Sequence, residues 1–243
     1  MNPQAQRWCV WSGVVLLVLF GGGLLTAGFI PPPAPGLDAD AITRLYVEDH
    51  ARIRAGMVAV LVGTTFWMPW QVVLTLQLRR MELGFGPFSL VNLTAGALGV
   101  IVVALPPALW LTAAFRPETR SPESVQLLHD LGCLIFVGMA PFVLIQNLAI
   151  GLAVLRDRAE SIGQPRVLPR WAGYLNLWTV LLLVPGFAVY VFRSGPLAWD
   201  GIFTWWVPVV AFGGWFIVMI ALMFRAVTTE AAGAESEPER AAV

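Results

Sequence analysis

The run FSLVNLTAGALGVIVVALPPALWLTAAF, from Phe88 to Phe115, decides the fold, because it is longer than a bilayer crossing and carries no charged residue. A spanning helix needs roughly 20 apolar residues. Five more charge-free runs lie around it: Trp8 to Ile30, Ala55 to Leu78, Leu131 to Leu155, Trp171 to Phe192 and Gly201 to Phe224. The sequence therefore predicts an all-α, polytopic membrane helix bundle with six transmembrane helices (8–30, 55–78, 88–115, 131–155, 171–192 and 201–224) forming one domain over residues 1–227. An N-terminal apolar run is sometimes a cleaved signal. This one exceeds the usual signal core of about 7–15 residues, so a retained helix is expected. The Ala/Glu-rich segment 228–243 reads as a disordered tail.

Composition agrees. Of 243 residues, 58% are hydrophobic and only 12% charged, about half the charge of an average soluble domain. Charge at the bilayer centre is costly, which accounts for the depletion. The net charge is zero, so no basic footprint for nucleic acid exists. All fifteen basic residues are arginine, which excludes Schiff-base and phosphate-loop lysines. With both termini in the cytoplasm, nine arginines lie inside against six outside, a modest bias of the sign that the positive-inside rule expects, strengthened by Arg79, Arg80, Arg156, Arg158, Arg166 and Arg170 in the inner loops. The chain is therefore expected in a cell membrane as a multi-pass protein. Cys9 and Cys133 lie in apolar surroundings with no metal-ligand spacing.

Helices two to six each carry proline within the span: Pro69, Pro106-Pro107, Pro141, Pro185 and Pro208. Proline removes a backbone hydrogen bond and kinks a helix. Kinks in so many helices fit a bundle splayed around a cavity.

The polar residues fall into two groups. On the outer side, a helical wheel through residues 38–60 makes Asp40, Arg44, Glu48 and Arg52 a solvated ladder. It puts Asp49 with Ile42, Leu45, Tyr46, Ile53 and Val60. A carboxylate on an apolar stripe is costly unless paired or used. Another wheel puts His129, Asp130, Cys133, Val137 and Ala140 on one face of helix four. Asp49, His129 and Asp130 are thus the candidate catalytic residues, an acid–base cluster with His50 and Asp200 nearby. No HExxH spacing occurs, so neither a metal nor another cofactor is expected.

On the inner side, Gln71, Gln77, Asn92, Gln146, Asn147 and Asn176 lie on four helices. Amides often glue membrane helices together. They also suit a polar grip on a substrate, and Phe66-Trp67-Met68-Pro69-Trp70-Gln71 adds two indoles at a kink. Trp67, Trp70, Gln71, Gln146, Asn147 and Asn176 are the candidate substrate-binding residues. Of eleven tryptophans, Trp8, Trp11, Trp171, Trp199, Trp205 and Trp206 suit an interfacial belt. Trp67, Trp70, Trp110, Trp178 and Trp215 are expected deeper.

The stretches Trp67-Met-Pro-Trp70, Phe115-Arg-Pro117, Gln146-Asn-Leu-Ala-Ile150 and Trp171-Ala-Gly-Tyr-Leu-Asn-Leu-Trp178 resemble a family of short six-span bacterial membrane proteins found in actinobacteria and proteobacteria. The resemblance runs over nearly the whole chain. It implies a coherent fold but no activity, substrate or site residue. The function expected from the residues is binding or converting a small lipophilic molecule in an outward-facing, Trp-rich cavity. Alternatives are a non-catalytic accessory subunit of a larger membrane complex, or a small proton-coupled transporter. The partners implied are the lipid bilayer and either a small lipophilic ligand or a partner membrane protein.

Overall fold

A computed structural model describes residues 2–138 and 141–240 of the chain, and among them every regular element is a helix. The α-helices are α1 (Pro3–Ala27), α2 (Ala39–Glu48), α3 (His50–Thr64), α4 (Trp67–Glu82), α5 (Pro87–Phe115), α6 (Pro122–Gly138), α7 (Pro141–Leu155), α8 (Arg170–Leu183) and α9 (Val207–Arg240). Taken with their flanking turns, they make six segments long and apolar enough to cross a membrane: Pro3–Ala27, His50–Glu82, Pro87–Phe115, Pro122–Leu155, Arg170–Tyr190 and Gly195–Gly233. Each overlaps one of the six charge-free runs, with Pro3–Ala27 and Arg170–Tyr190 ending short of their runs and the other segments reaching past theirs at one end or both.

Proline sets much of the shape. Pro69 has no N–H for the carbonyl of Thr65, and the chain breaks at Thr65–Phe66 between α3 and α4. Pro185 ends α8, and a 3₁₀ segment, Val184–Tyr190, finishes that crossing. Pro208 follows a π-helical turn, Ile202–Trp206, that leads into α9. Pro106 and Pro107 behave differently and sit inside an uninterrupted α5. Pro141 is the first residue of α7. It adjoins Met139 and Ala140, so the expected placement of Ala140 beside His129 lies outside the described residues.

Glycine decides where helices touch. A methyl group added at Gly23 of α1 would lie 2.6 Å from the Gly56 carbonyl oxygen of α3. The two backbones meet directly there, as small residues allow in membrane helix pairs. α7 and α8 repeat the arrangement, with an added carbon at Gly151 or Gly173 falling 3.1 Å from the other residue's carbonyl oxygen.

The start of α1 and the later part of α9 meet at one end of the bundle. Glu230 of α9 accepts hydrogen bonds from Gln6 Nε2 at 3.2 Å and Gln77 Nε2 at 3.3 Å, and Arg80 Nη1 sits 3.3 Å from its carboxylate. Gln77 also donates to Gln6 Oε1 at 2.7 Å. This knot ties α1, α4 and α9 together. Helix α9 continues to Arg240, over much of the segment read as a tail. The segment is rich in Ala and Glu, which are strong helix formers, and Glu230 anchors it. Residues 241–243 lie outside the description.

The opposite end is capped. After α1 the chain runs through Pro31–Pro35 into α2, whose N-cap Asp38 accepts from the Ala41 N–H at 2.8 Å. α2 packs on α6 and buries Ile42 and Tyr46.

Candidate functional site

Asp49 is not on a continuous apolar face. The helix that the wheel assumed stops at Glu48, and Asp49 is the junction residue between α2 and α3, with φ −101° and ψ 13°. Its side chain is 42% exposed and lies 3.6 Å from Arg52. His50 is exposed and turns back to the Val47 carbonyl at 3.0 Å.

His129 is fully buried, and its partners are on other elements. Tyr46 Oη of α2 lies 3.1 Å from Nδ1 and Cys133 Sγ lies 3.5 Å from Nε2. The ring also meets the Pro33 backbone. Trp110 Nε1 donates to the His129 carbonyl oxygen at 3.3 Å. Trp199 Nε1 donates to the Pro33 carbonyl at 2.8 Å. Phe29, Tyr46 and Trp199 present ring edges around the imidazole. Burial, with Cys133 and Asp130 adding to it, pushes the Tyr46 pKa well above its ordinary value, so the hydroxyl keeps its proton. The constellation fastens the Pro-rich loop and α2 onto α5 and α6. Asp130 is half-buried beside it, within electrostatic reach of Arg193. Asp49 is thus part-exposed beside Arg52, whereas His129 sits in an aromatic core and Asp130, next to it in the chain, lies within electrostatic reach of Tyr46, Cys133 and Arg193. Among the described residues no three His, Cys, Asp or Glu side chains are grouped to hold a metal ion.

The amides mostly pair with neighbouring helices. Gln146 Nε2 of α7 donates to Gln71 Oε1 of α4. Asn92 Nδ2 of α5 donates to Thr75 Oγ1 of α4 at 2.8 Å. Trp215 Nε1 of α9 donates to Asn176 Oδ1 of α8 at 2.9 Å. Asn147 bonds within its own helix, to the Val143 carbonyl at 3.0 Å. Trp70 packs over Gly13 and beside Phe216, with ring centroids 5.1 Å apart. The hydrogen bonds between helices are each worth roughly 0.6–2 kcal/mol.

A cavity of about 280 Å³ opens between α1, α5, α6, α7 and α9. Leu16, Phe20 and Leu24 of α1 line one wall; Phe136, Phe142, Phe212 and Phe216 contribute rings from other helices. The proline-linked breaks converge on it, because Trp67, Gly186, Thr204, Trp205 and Pro208 all contribute to its wall. Val102 and Val103, whose carbonyls face prolines at the i+4 positions of α5, also line it. No ionisable side chain is in the lining. Of the six expected binding residues, only Trp67 reaches the cavity, and its Nε1 is bonded to the Gly96 carbonyl at 3.0 Å.

Sequence reading missed Trp205. It was expected at the interfacial belt, yet it is 2% exposed and lines the cavity. The π-turn carries Thr204 and Trp205 inward together and leaves Trp206 outside at 43% exposure. Trp178, expected deeper than the belt, is 61% exposed on the surface of α8. A proline two residues past paired aromatics was the available signal. Comparison with family models, curated proteins and solved structures finds no match for this chain.

Proposed function

We propose that this protein is a multi-pass membrane protein, with both termini in the cytoplasm, that binds a small lipophilic molecule in the cavity between α1, α5, α6, α7 and α9. The observation that carries the reading is the cavity's character. It is lined by aliphatic and aromatic side chains, has no ionisable group in its lining, and sits where the crossing helices break. Its volume of about 280 Å³ is near the lower edge of ligand pockets, which run from roughly 300 to 1,000 Å³. That room suits a single hydrocarbon chain better than a whole diacyl lipid. A buried charge without a partner is costly, so the occupant is uncharged within the cavity.

Binding rather than conversion is the better-supported half of the original expectation. Acid–base chemistry needs a proton carrier within reach of the substrate. Asp49, His129 and Asp130 are absent from the cavity wall. Arg79 and Arg80 in the last turn of α4, and Arg156, Arg158 and Arg166 between α7 and α8, support the orientation, with the α2 cap outside.

Native mass spectrometry of gently purified protein tests the reading. Gly213 lines the cavity, and an added side-chain carbon there meets no atom within 4 Å. Wild type is expected to retain one small apolar molecule, and Gly213→Leu to lose it while keeping its melting temperature. A wild-type protein that carries nothing, or a Gly213→Leu protein that carries the same load, would remove the proposal. Co-purification with a stoichiometric second protein and no ligand would favour the accessory-subunit reading instead.

A further inference from the structure

The cavity wall holds three side chains able to hydrogen bond: Trp67, Thr204 and Trp205. Two are already engaged. Trp67 Nε1 donates to the Gly96 carbonyl, and Thr204 Oγ1 donates to the Ala198 carbonyl. Trp205 is different. Its indole is buried, and Nε1 has no hydrogen-bond partner among the described residues. A buried donor left unpaired costs more than a made bond returns, and most such groups in native proteins have an explanation such as an unseen ligand. Other unpaired buried atoms occur on Trp70, Gln71, Asn92 and Asn147, but none of those residues lines the cavity.

Trp205 lies on the π-turn, whose Thr204 hydroxyl bonds the Ala198 carbonyl next to Trp199 of the cap, whereas Leu16, Trp67 and Phe216 of the lining belong to the core cluster around Trp70. The α1 wall from Leu16 to Leu24 is roughly 12 Å long at the helical rise per residue. π-turns inside helices recur at functional sites.

From these observations we infer that Trp205 is the positioning residue for the ligand. Its indole N–H meets an uncharged oxygen acceptor (a carbonyl, ester or ether) at the capped end of the cavity, and the ligand's hydrocarbon chain runs toward Leu16 and Phe216. A carboxylate or phosphate is disfavoured there because the wall offers no cation to pair with it. This inference rests on the cavity reading above and narrows its ligand to one chemical class.

Two photoactivatable probes of equal chain length test it on the full-length protein in nanodiscs. Both carry a mid-chain diazirine; one ends in a methyl ketone and the other is the plain hydrocarbon. Labelled peptides are mapped by mass spectrometry over a range of probe concentrations. Both probes are expected to label α1 and α9 peptides that line the cavity. The ketone should half-saturate at roughly fivefold lower concentration, the gain of one net hydrogen bond. Trp205→Phe should bring the ketone to the hydrocarbon's level and leave the hydrocarbon unchanged, and Gly213→Leu should block both. Equal wild-type labelling by the two probes would overturn the role of Trp205 and leave the cavity reading standing. So would a ketone preference that survives Trp205→Phe. Cavity labelling by neither probe would overturn both readings. The wild-type comparison decides the matter even if Trp205→Phe folds poorly.

Discussion

Asp49 and His129 have residue types and sequence surroundings that point to chemistry, yet the fold uses them differently. Asp49 sits at a helix junction beside Arg52, with nearly half of its side chain in solvent. Exposed ion pairs are worth about 0–1 kcal/mol, so Asp49→Asn should change stability by less than about 0.5 kcal/mol and leave ligand content unchanged in native mass spectrometry. Tyr46→Phe is the opposite case. It removes the hydroxyl that orients His129 inside an aromatic enclosure and should cost about 1 kcal/mol in chemical denaturation. The sign of its pH dependence follows from the raised Tyr46 pKa. The fold favours the protonated phenol, so that stabilisation is complete below pH ~10, the unfolded tyrosine value, and is lost as pH rises above it. Tyr46→Phe should therefore flatten the alkaline limb of a stability–pH profile. The inward face of His129 was legible, because it shares that face with Cys133 and Val137. The position of Asp49 was not, because a wheel carries a residue across a helix break without registering it.

Among the helices, two glycines on α1 give contrasting expectations. Gly23 touches the Gly56 backbone, whereas an added carbon at Gly21 meets nothing within 4 Å and would stand at the cavity wall. Gly23→Leu should force α1 off α3 and cost 1–3 kcal/mol or more, as overpacking does. Gly21→Leu should leave the melting temperature in place and reduce ligand retention. Thermal melts paired with native mass spectrometry separate the two. The six spans were legible because lipid forbids charge along the whole length of a crossing. The cavity was legible only as an expectation from the prolines. Sequence could not say that Pro185 and Pro208 end or distort helices while Pro106-Pro107 stay within one, since neighbouring helices decide how a freed carbonyl is accommodated. Trp205 was missed for the same reason: its inward turn comes from a π-turn that no apolar period announces.

Over the whole molecule, a polar knot closes one end and an aromatic cap the other, with the cavity between them. Gln6, Gln77, Arg80 and Glu230 hold the terminal helices together. Glu230→Ala should cost roughly 1–2 kcal/mol and make the end of α9 more sensitive to protease, with no effect on cavity occupancy. The amides also act at this scale, because they lock helix pairs and leave the space between α1, α5, α6, α7 and α9 to apolar side chains. The central claim is that this interior space, and not the His129 enclosure, receives the ligand. Fluorine NMR of protein labelled with 5-fluorotryptophan tests that most directly, with each resonance assigned by Trp→Phe substitution and a long-chain methyl ketone as titrant. The account predicts saturable shifts for Trp67 and Trp205, which line the cavity, while Trp110 and Trp199 beside His129 stay in place. Shifts confined to Trp110 and Trp199, with Trp67 and Trp205 unmoved, would contradict it.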